Sequence, residues 1–226
     1  MSDAPLHSWN VTPKEAVCIQ ESLAGRIDLA WDGRSVSTVA GIDVSVKGGV
    51  SRAAIVLLTF PDLAPLESTV AERPTPFPYV PGLLTFREGP VVLDAWANLK
   101  QTPDVVLFDG QGIAHPRRMG LAAHLGLWLG IPAIGCAKSR LYGRHGEPGP
   151  RKGDAEPLVD ERDPSVVIGS VLRSRENVKP LFVSPGHRMG IRSAVSWALR
   201  CGAGYRVPEP TRRAHHLVNE LRIQHT

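Results

Sequence analysis

The sequence contains few cysteines and no long hydrophobic run. Its three cysteines, Cys18, Cys136 and Cys201, are widely spaced, and none forms a pair with metal-binding spacing. An odd number of isolated cysteines argues against a disulfide framework and favours a reducing compartment. No apolar segment approaches the ~20 residues that a transmembrane helix needs, and the N-terminus lacks an apolar signal region. These absences predict a cytoplasmic protein without a membrane partner.

Length and composition predict one globular domain over residues 1–226. The chain has 226 residues, of which 42% are hydrophobic, so it can bury a sizeable core. We find no internal repeat and no composition shift that would mark a linker, and we expect a monomer. The net charge of +4 suits a polyanionic partner, but many soluble proteins share this balance.

The first half of the chain predicts a helix followed by a β-meander. Thr12 and the next three residues have the pattern of a helix N-cap with a capping box. Strand patterns follow over residues 36–46, 52–60 and 66–73, with a hairpin turn at residues 47–49.

The rest of the chain predicts alternating helices and strands, after a stiff loop at residues 74–81 that contains four prolines. The predicted strands are residues 105–108, 132–136, 166–172 and 181–184. The predicted helices are residues 91–99, 120–129, 191–199 and one that begins at Glu209. Residues 143–157 are rich in glycine, proline and charge, which predicts a surface excursion. The pattern as a whole predicts an α/β fold.

The most informative stretch is the predicted buried strand Val105–Phe108 and the loop after it. Asp109 follows this strand directly, and open α/β sheets bind ligands at the carboxyl ends of their strands. Gly110 and Gly112 leave room for a ligand to approach the backbone, and His115 follows six residues after Asp109. The spacing is not that of a dinucleotide-binding fingerprint, so the stretch predicts a ligand site without naming the ligand.

Three carboxylates, Asp43, Glu88 and Asp109, lie at predicted element ends or inside an apolar strand. Burying a lone carboxylate such as Asp43 is costly unless it is paired or bound to a cation, and carboxylate oxygens suit Mg²⁺. Asp43 is equally consistent with an aspartate that hydrogen-bonds a neighbouring loop. Glu88, taken alone, is typical of a solvated residue at a helix start.

Several other polar residues have two interpretations. Lys138 follows a short predicted strand and is either a phosphate-facing ammonium or a surface lysine. Tyr79, held between prolines, is either a packing residue or a rigid wedge that stacks on bases. The remaining candidates are ordinary surface residues or contacts to a nucleic-acid backbone or a metal: Arg117, Arg118, Arg140, Arg144, His215 and His216.

Taken together, these segments resemble the endonuclease V family of deoxyinosine 3′-endonucleases over nearly the whole chain. The long central motifs are specific enough to make chance agreement in this order negligible. The matching segments are residues 40–44, 78–88, 109–118, 131–141, 184–188 and 208–212.

The resemblance implies a ribonuclease-H-like fold, in which helices flank a mixed five-stranded sheet with small added strands. In that fold the first strands form a meander and the later strands run parallel. It also implies a nuclease that uses Mg²⁺, for which Mn²⁺ can substitute. Its ligands would be Asp43, Glu88, Asp109 and His215, the three carboxylates also being catalytic. The doubled His215 and His216 leave open which one faces the metal, although the spacing from Thr211 favours His215.

The resemblance further implies catalytic roles for Lys138 and His115, and a strand-separating wedge at Tyr79. The family flips deoxyinosine out of DNA and cuts the second phosphodiester bond 3′ to the lesion. The pocket for the flipped base is expected to be largely backbone: Gly82, Leu83, Gly110, Gly112 and Gly135. One departure is Cys136, at a position where the motif more often has valine.

Two alternatives stay open at this point. Another ribonuclease-H-like nuclease, such as a junction resolvase, would share the metal site. A non-catalytic damage-binding protein would not benefit from three clustered carboxylates near phosphate. The expected partner is DNA containing deoxyinosine, with inosine-containing RNA as an alternative substrate.

Overall fold

The computed structural model describes residues 5–224, with side chains through Leu221. Within this range the chain forms five α-helices and eight β-strands. The helices are α1 (Pro13–Ala24), α2 (Leu84–Ala97), α3 (Leu121–Leu129), α4 (Ile191–Arg200) and α5 (Glu209–Gln224). The strands are β1 (Thr38–Lys47), β2 (Val50–Thr59), β3 (Pro65–Pro74), β4 (Val105–Phe108), β5 (Ala133–Ala137), β6 (Ala155–Val159), β7 (Val167–Leu172) and β8 (Leu181–Pro185). None of the helices in the described part of the chain combines the length and the apolar character of a membrane span.

Helix α1 begins with the capping box that the sequence predicts. The Glu15 amide donates to the Thr12 hydroxyl, and the Thr12 amide donates to the Glu15 carboxylate at 2.7 Å. Two of the otherwise unpaired groups at a helix start are thereby satisfied. The buried face of α1 carries Ala16 and Leu23 and, between them, Gln20.

All eight strands belong to one mixed sheet, in the order β3-β2-β1-β4-β5-β8-β7-β6. Strands β1, β2 and β3 form the predicted antiparallel meander, and β4 and β5 run parallel to β1. These five strands match the predicted five-stranded sheet, and the other three extend it.

The expectation that later strands run parallel is wrong for these three added strands. Strand β8 pairs antiparallel with β5, and β7 and β6 continue the antiparallel pairing. Strand β6 also lies partly inside the stretch predicted to be a surface excursion. Its position at the sheet edge explains the difference, because an edge strand is largely exposed and tolerates Pro157.

Helices cover both faces of the sheet. On one face, Val91 and Val92 of α2 and Leu125 of α3 pack against Ile42 and Phe108. On the other, Trp197 of α4 and Ala214 of α5 pack against alternate residues of the central strands. The pairing of β1 with β4 ends at Ile42 and Phe108, and the polar residues of the site lie just beyond this point, beside α5.

Candidate active site

The centre of the site is formed by Asp43, Asp109 and His215. Ile42 and Phe108 are register partners on the parallel strands β1 and β4, and the Asp109 amide donates to the Ile42 carbonyl at 3.1 Å. An aspartate follows each of these two residues in the chain, so the two carboxylates are neighbours where the pairing of β1 with β4 ends. One potential ligand atom from each of Asp43, Asp109 and His215 lies within 4.8 Å of the others.

His215 reaches this edge because α5 lies directly on β1. A Cβ atom at Gly41 would overlap the backbone of Pro210, near the start of α5, at a distance well under 3.0 Å. Glycine at position 41 is therefore required for this close approach. One and a half turns along α5, the His215 Nδ1 atom lies 2.7 Å from the Asp43 carboxylate. The neighbouring His216 is exposed.

The electrostatics of the centre favour a bound cation. Burial and the nearby negative charge of Asp109 raise the pKa of Asp43, and the contacts with His215 and Lys138 only partly offset them. A divalent cation between the carboxylates would remove this cost, and carboxylate oxygens are the ligands that Mg²⁺ and Mn²⁺ prefer. The donor set thus fits such an ion.

Glu88 lies close to the centre without belonging to the three-residue group. The sequence predicts Glu88 at a helix start, whereas it lies in the second turn of α2 and is partly buried. Burial first, and then the charges of Asp43 and Asp109, raise the pKa of Glu88 to about 8. The Glu88 carboxylate is thus close enough to the two aspartates for their negative charges to raise its pKa. Its role as a metal ligand stays a prediction.

Lys138 completes the cationic side of the site. It follows β5, and its ammonium donates to the Asp109 carboxylate. The Lys138 side chain is 40% exposed, so the ammonium also faces solvent. The Arg206 guanidinium donates to the carbonyls of Lys138 and of Pro180, which fixes the backbone at this position.

The His115 ring is held by a hydrogen-bond donor on one nitrogen and a hydrogen-bond acceptor on the other. The Arg117 amide donates to Nδ1 at 3.1 Å, so the proton of the neutral ring is on Nε2. Nε2 then donates to the Gly82 carbonyl at 2.9 Å. Burial lowers the pKa of His115 to about 4, and the charges of Arg117 and Arg118 act in the same direction. The ring is therefore neutral at pH 7.

A largely apolar pocket opens next to these residues, between the proline-rich loop and the loop after β4. Tyr79 at its mouth is 70% exposed. Leu141 belongs to the same lining and is also exposed. The lining residues are Tyr79, Val80, Pro81, Gly82, Leu84, Thr85, Gln111, His115, Met119, Gly120, Leu121 and Leu141.

The predicted pocket residues separate into two sets. Gly82 lines this pocket, and its φ of +79° suits a glycine. Leu83 is buried in a hydrophobic cluster with Phe86. At Gly112 an added Cβ would overlap the Pro185 carbonyl, and at Gly135 it would overlap the Gly112 amide. Those two glycines thus serve contacts within the chain, as Gly110 does against Leu121.

A family model described as endonuclease V matches residues 21–216 of the chain. The endonuclease V of Methanothrix thermoacetophila is 54% identical over 212 residues, which cover 94% of this chain and 93% of that protein. The chain belongs to the endonuclease V family.

Solved structures of endonuclease V have the same architecture. The Streptomyces avermitilis protein aligns with a TM-score of 0.89 and 40% identity, covering 96% of both chains. The Ciona intestinalis protein aligns with a TM-score of 0.82 and 25% identity, covering 94% of this chain and 98% of that one. That second structure is a complex with a 24mer DNA containing an inosine followed by a ribo-adenosine. The fold of this endonuclease V family member is therefore ribonuclease-H-like, as the resemblance implied.

Two glutamines of this endonuclease V chain were not predicted as site residues. Gln111 lines the pocket, donates to the Ser139 carbonyl at 2.9 Å and has a buried Oε1 atom without a partner among the described residues. Gln20 bonds to Gly82 and Met119 behind the pocket. The signal for Gln20 was present, since a polar residue stands between Ala16 and Leu23 on the apolar face of α1.

Proposed function

We propose that this chain is a metal-dependent endonuclease that recognises deoxyinosine in DNA and hydrolyses the second phosphodiester bond on its 3′ side. The observation that carries the proposal is that three potential metal ligands lie close to a pocket that could hold a base. Asp43, Asp109 and His215 meet where the pairing of β1 with β4 ends, and Gln111, two residues after Asp109, lines the pocket that has Tyr79 at its mouth. Family membership and the inosine-containing DNA bound by the Ciona protein support this substrate.

Asp43, Asp109 and His215 would hold the divalent cation, Mg²⁺ or Mn²⁺, with Glu88 beside them. When bound, the cation supplies Lewis-acid stabilisation of negative charge on the phosphate. Asp43 and Asp109 are pre-positioned for this by their register on adjacent parallel strands, so little reorganisation is needed at the moment of reaction.

Lys138 acts on the phosphate side of the reaction. Its ammonium contacts the Asp109 carboxylate and is also open to solvent. A phosphodiester gains negative charge in the transition state for hydrolysis, and a lysine at this place stabilises that charge more than it stabilises the ground state. Lys138 therefore contributes to the rate more than to DNA affinity.

The pocket receives the extruded base, and Tyr79 keeps it there. Extrusion costs a few kcal/mol and is least costly for a weakly paired base, which favours hypoxanthine over the four normal bases. An exposed tyrosine between Pro78 and Pro81 is rigid enough to stack in the gap that the extruded base leaves. We further propose that the enzyme acts as a cytoplasmic monomer.

The test is nicking of end-labelled duplexes that differ only in inosine or adenine opposite thymine. We expect a nick at the second bond 3′ to inosine with Mg²⁺ or Mn²⁺, no nick with EDTA, and little cutting of the adenine duplex. A four-way junction and an inosine-containing RNA are included as competing substrates. Preferential cutting of the junction, or cutting that persists in EDTA, would refute the proposal.

Two variants assign the chemistry within the same assay. Asp109→Asn keeps the shape of the side chain but removes its charge, and we expect loss of nicking with inosine affinity largely retained. Lys138→Ala should lower the single-turnover rate by roughly 10–100-fold, since positioned charges of this kind contribute a few kcal/mol to catalysis. Asp62→Asn and Lys152→Ala, both at exposed positions, are the matched controls. A fully active Asp109→Asn variant would contradict the metal-site assignment.

A further inference from the structure

Gln20 is a completely buried polar residue outside the assigned site. Its side chain is 0% exposed, although it lies on the apolar face of α1 with Ala16 and Leu23. Burying an amide is costly unless its donors and its acceptor are hydrogen-bonded. The partners of Gln20 therefore indicate what it does.

The Gln20 amide joins three separate points behind the pocket. Nε2 donates to the Gly82 carbonyl at 3.0 Å and to the Met119 carbonyl at 2.9 Å. Oε1 accepts from the Arg117 Nε group at 2.7 Å. Both amide protons and the amide oxygen are thus engaged, and the orientation is unambiguous, because the two carbonyls can only accept.

Two of these points are walls of the pocket. Gly82 ends the proline-rich loop that carries Tyr79, and Met119 belongs to the loop between β4 and α3. The Gly82 carbonyl also accepts from His115 Nε2 at 2.9 Å and from the Arg117 guanidinium at 3.0 Å. Three donors converging on one oxygen restrain it strongly. His115 and Arg117 donate to it directly from the loop between β4 and α3, and Gln20 adds a bridge from α1 that holds the Gly82 and Met119 carbonyls together.

We propose that Gln20 is a positioning residue that sets the separation of the two pocket walls, and thereby the selectivity for the extruded base. The proposal rests on the function proposed above, because it concerns how that pocket holds its base. Gln20 does not touch the substrate. It acts through the backbone of Gly82 and Met119, whose spacing determines how closely the walls fit a flat base.

Two substitutions remove this link in different ways. Gln20→Met keeps a similar length and removes all three hydrogen bonds. Gln20→Glu is nearly isosteric and still accepts from Arg117, but an ionised carboxylate cannot donate to the two carbonyls. Ser22→Ala, in the same helix, is the control, since Ser22 is exposed and its hydroxyl donates to the Ile19 carbonyl within α1.

The first measurement is hydrogen exchange in the free protein, which needs no substrate. We expect the backbone amides of Tyr79, Val80 and residues 82–85 to exchange roughly tenfold faster in both Gln20 variants, because one or two buried hydrogen bonds are lost. The amides of β1 should exchange as in the wild type. Unchanged exchange at Tyr79, Val80 and residues 82–85 in both variants would overturn the proposal.

The second measurement is affinity for inosine and adenine duplexes in EDTA, where no cutting occurs. We expect the ratio of the two affinities to fall roughly tenfold in both Gln20 variants, with the Ser22→Ala ratio unchanged. A general loss of folding would lower both affinities together and leave the ratio intact. Faster exchange with an unchanged ratio would overturn the selectivity role. A wild type without inosine preference would refute the proposed function and this selectivity role with it, while exchange would still decide whether Gln20 holds the walls together.

Discussion

Gly41 gives the sharpest test of how the fold assembles the site. The residue lies in β1, two positions before Asp43, and α5 passes directly over it. A methyl group at position 41 would meet the carbonyl carbon and oxygen of Pro210 and the amide nitrogen of Thr211. All three are backbone atoms, so no side-chain rotation relieves the overlap and the whole start of α5 has to move.

The size of that movement sets the expected loss of activity. The contact falls well under the 3.0 Å that real Cβ atoms essentially never show, so α5 must retreat by roughly 1 Å, and a misplacement of that size can cost ~100-fold in rate. His215 is the site residue that α5 carries, and it would be drawn away from Asp43. Overpacking of this kind also destabilises a core by ~1–3 kcal/mol, which lowers the melting temperature by about 2–4 °C per kcal/mol for a chain of this size.

The assay is single-turnover nicking of the inosine duplex by Gly41→Ala, well below its melting temperature. Gly25→Ala is the control, because a Cβ at Gly25 meets nothing within 4 Å and the backbone there is right-handed helical. We expect a rate roughly 100-fold below wild type for Gly41→Ala and an unchanged rate for Gly25→Ala. If the folded Gly41→Ala protein nicked at the wild-type rate, the close approach of α5 to β1 would not be what positions His215.

Two further predictions concern the pocket and the buried histidines. Tyr79→Ala should weaken binding to the inosine duplex by roughly 10–100-fold, since stacking contributes ~1–3 kcal/mol per base. The loss should be smaller on single strands, and equal losses on both would show that Tyr79 is no wedge. Burial lowers the pKa of His124 to about 3. Between pH 6.5 and about 3 the unfolded state therefore binds a proton at this residue that the folded state does not. The free energy of unfolding should fall by ~1.4 kcal/mol for each unit by which the pH is lowered across this range. His124→Gln should make the free energy of unfolding less dependent on pH by the contribution of one proton, as measured by denaturant titrations at several pH values. His187→Gln is the comparison, since His187 is a second histidine of lowered pKa. An unchanged pH dependence in His124→Gln would contradict the buried neutral state of His124.

The parts of the fold that the sequence predicted are those with local or pairwise signals. The meander follows from alternating patterns and from Gly48 and Gly49, whose φ values are +59° and +74° at the turn. The proximity of Asp43 and Asp109 follows from the pairing of two parallel strands, because each aspartate comes directly after a residue of the last register pair, Ile42 and Phe108. Both predictions needed only sequence neighbours and sheet geometry.

The glycines show where such reasoning stops. A glycine in a loop can leave space for a ligand or for another part of the chain, and the residue type is the same in both cases. At Gly112 the space is filled by Pro185, and at Gly135 by the Gly112 backbone. Pro185 and the Gly112 backbone come close to these glycines only through tertiary packing, which the sequence around each glycine does not indicate. Strand β6 was missed for a similar reason, because this exposed, proline-containing segment becomes a strand through its antiparallel pairing with β7.

His115 shows how the structure changes the meaning of a predicted site residue. A histidine that acts as a general acid or base exchanges a proton near neutral pH, whereas burial lowers the pKa of this ring to about 4. Taking up a proton at Nδ1 would break its bond from the Arg117 amide, and giving one up from Nε2 would break its bond to the Gly82 carbonyl. The second transfer would loosen the same carbonyl that Gln20 holds, and the first would release the backbone of Arg117. We therefore interpret His115 as a residue that fixes the pocket wall in its neutral form, which makes the geometry of the base pocket, and not proton transfer, the property that depends on it.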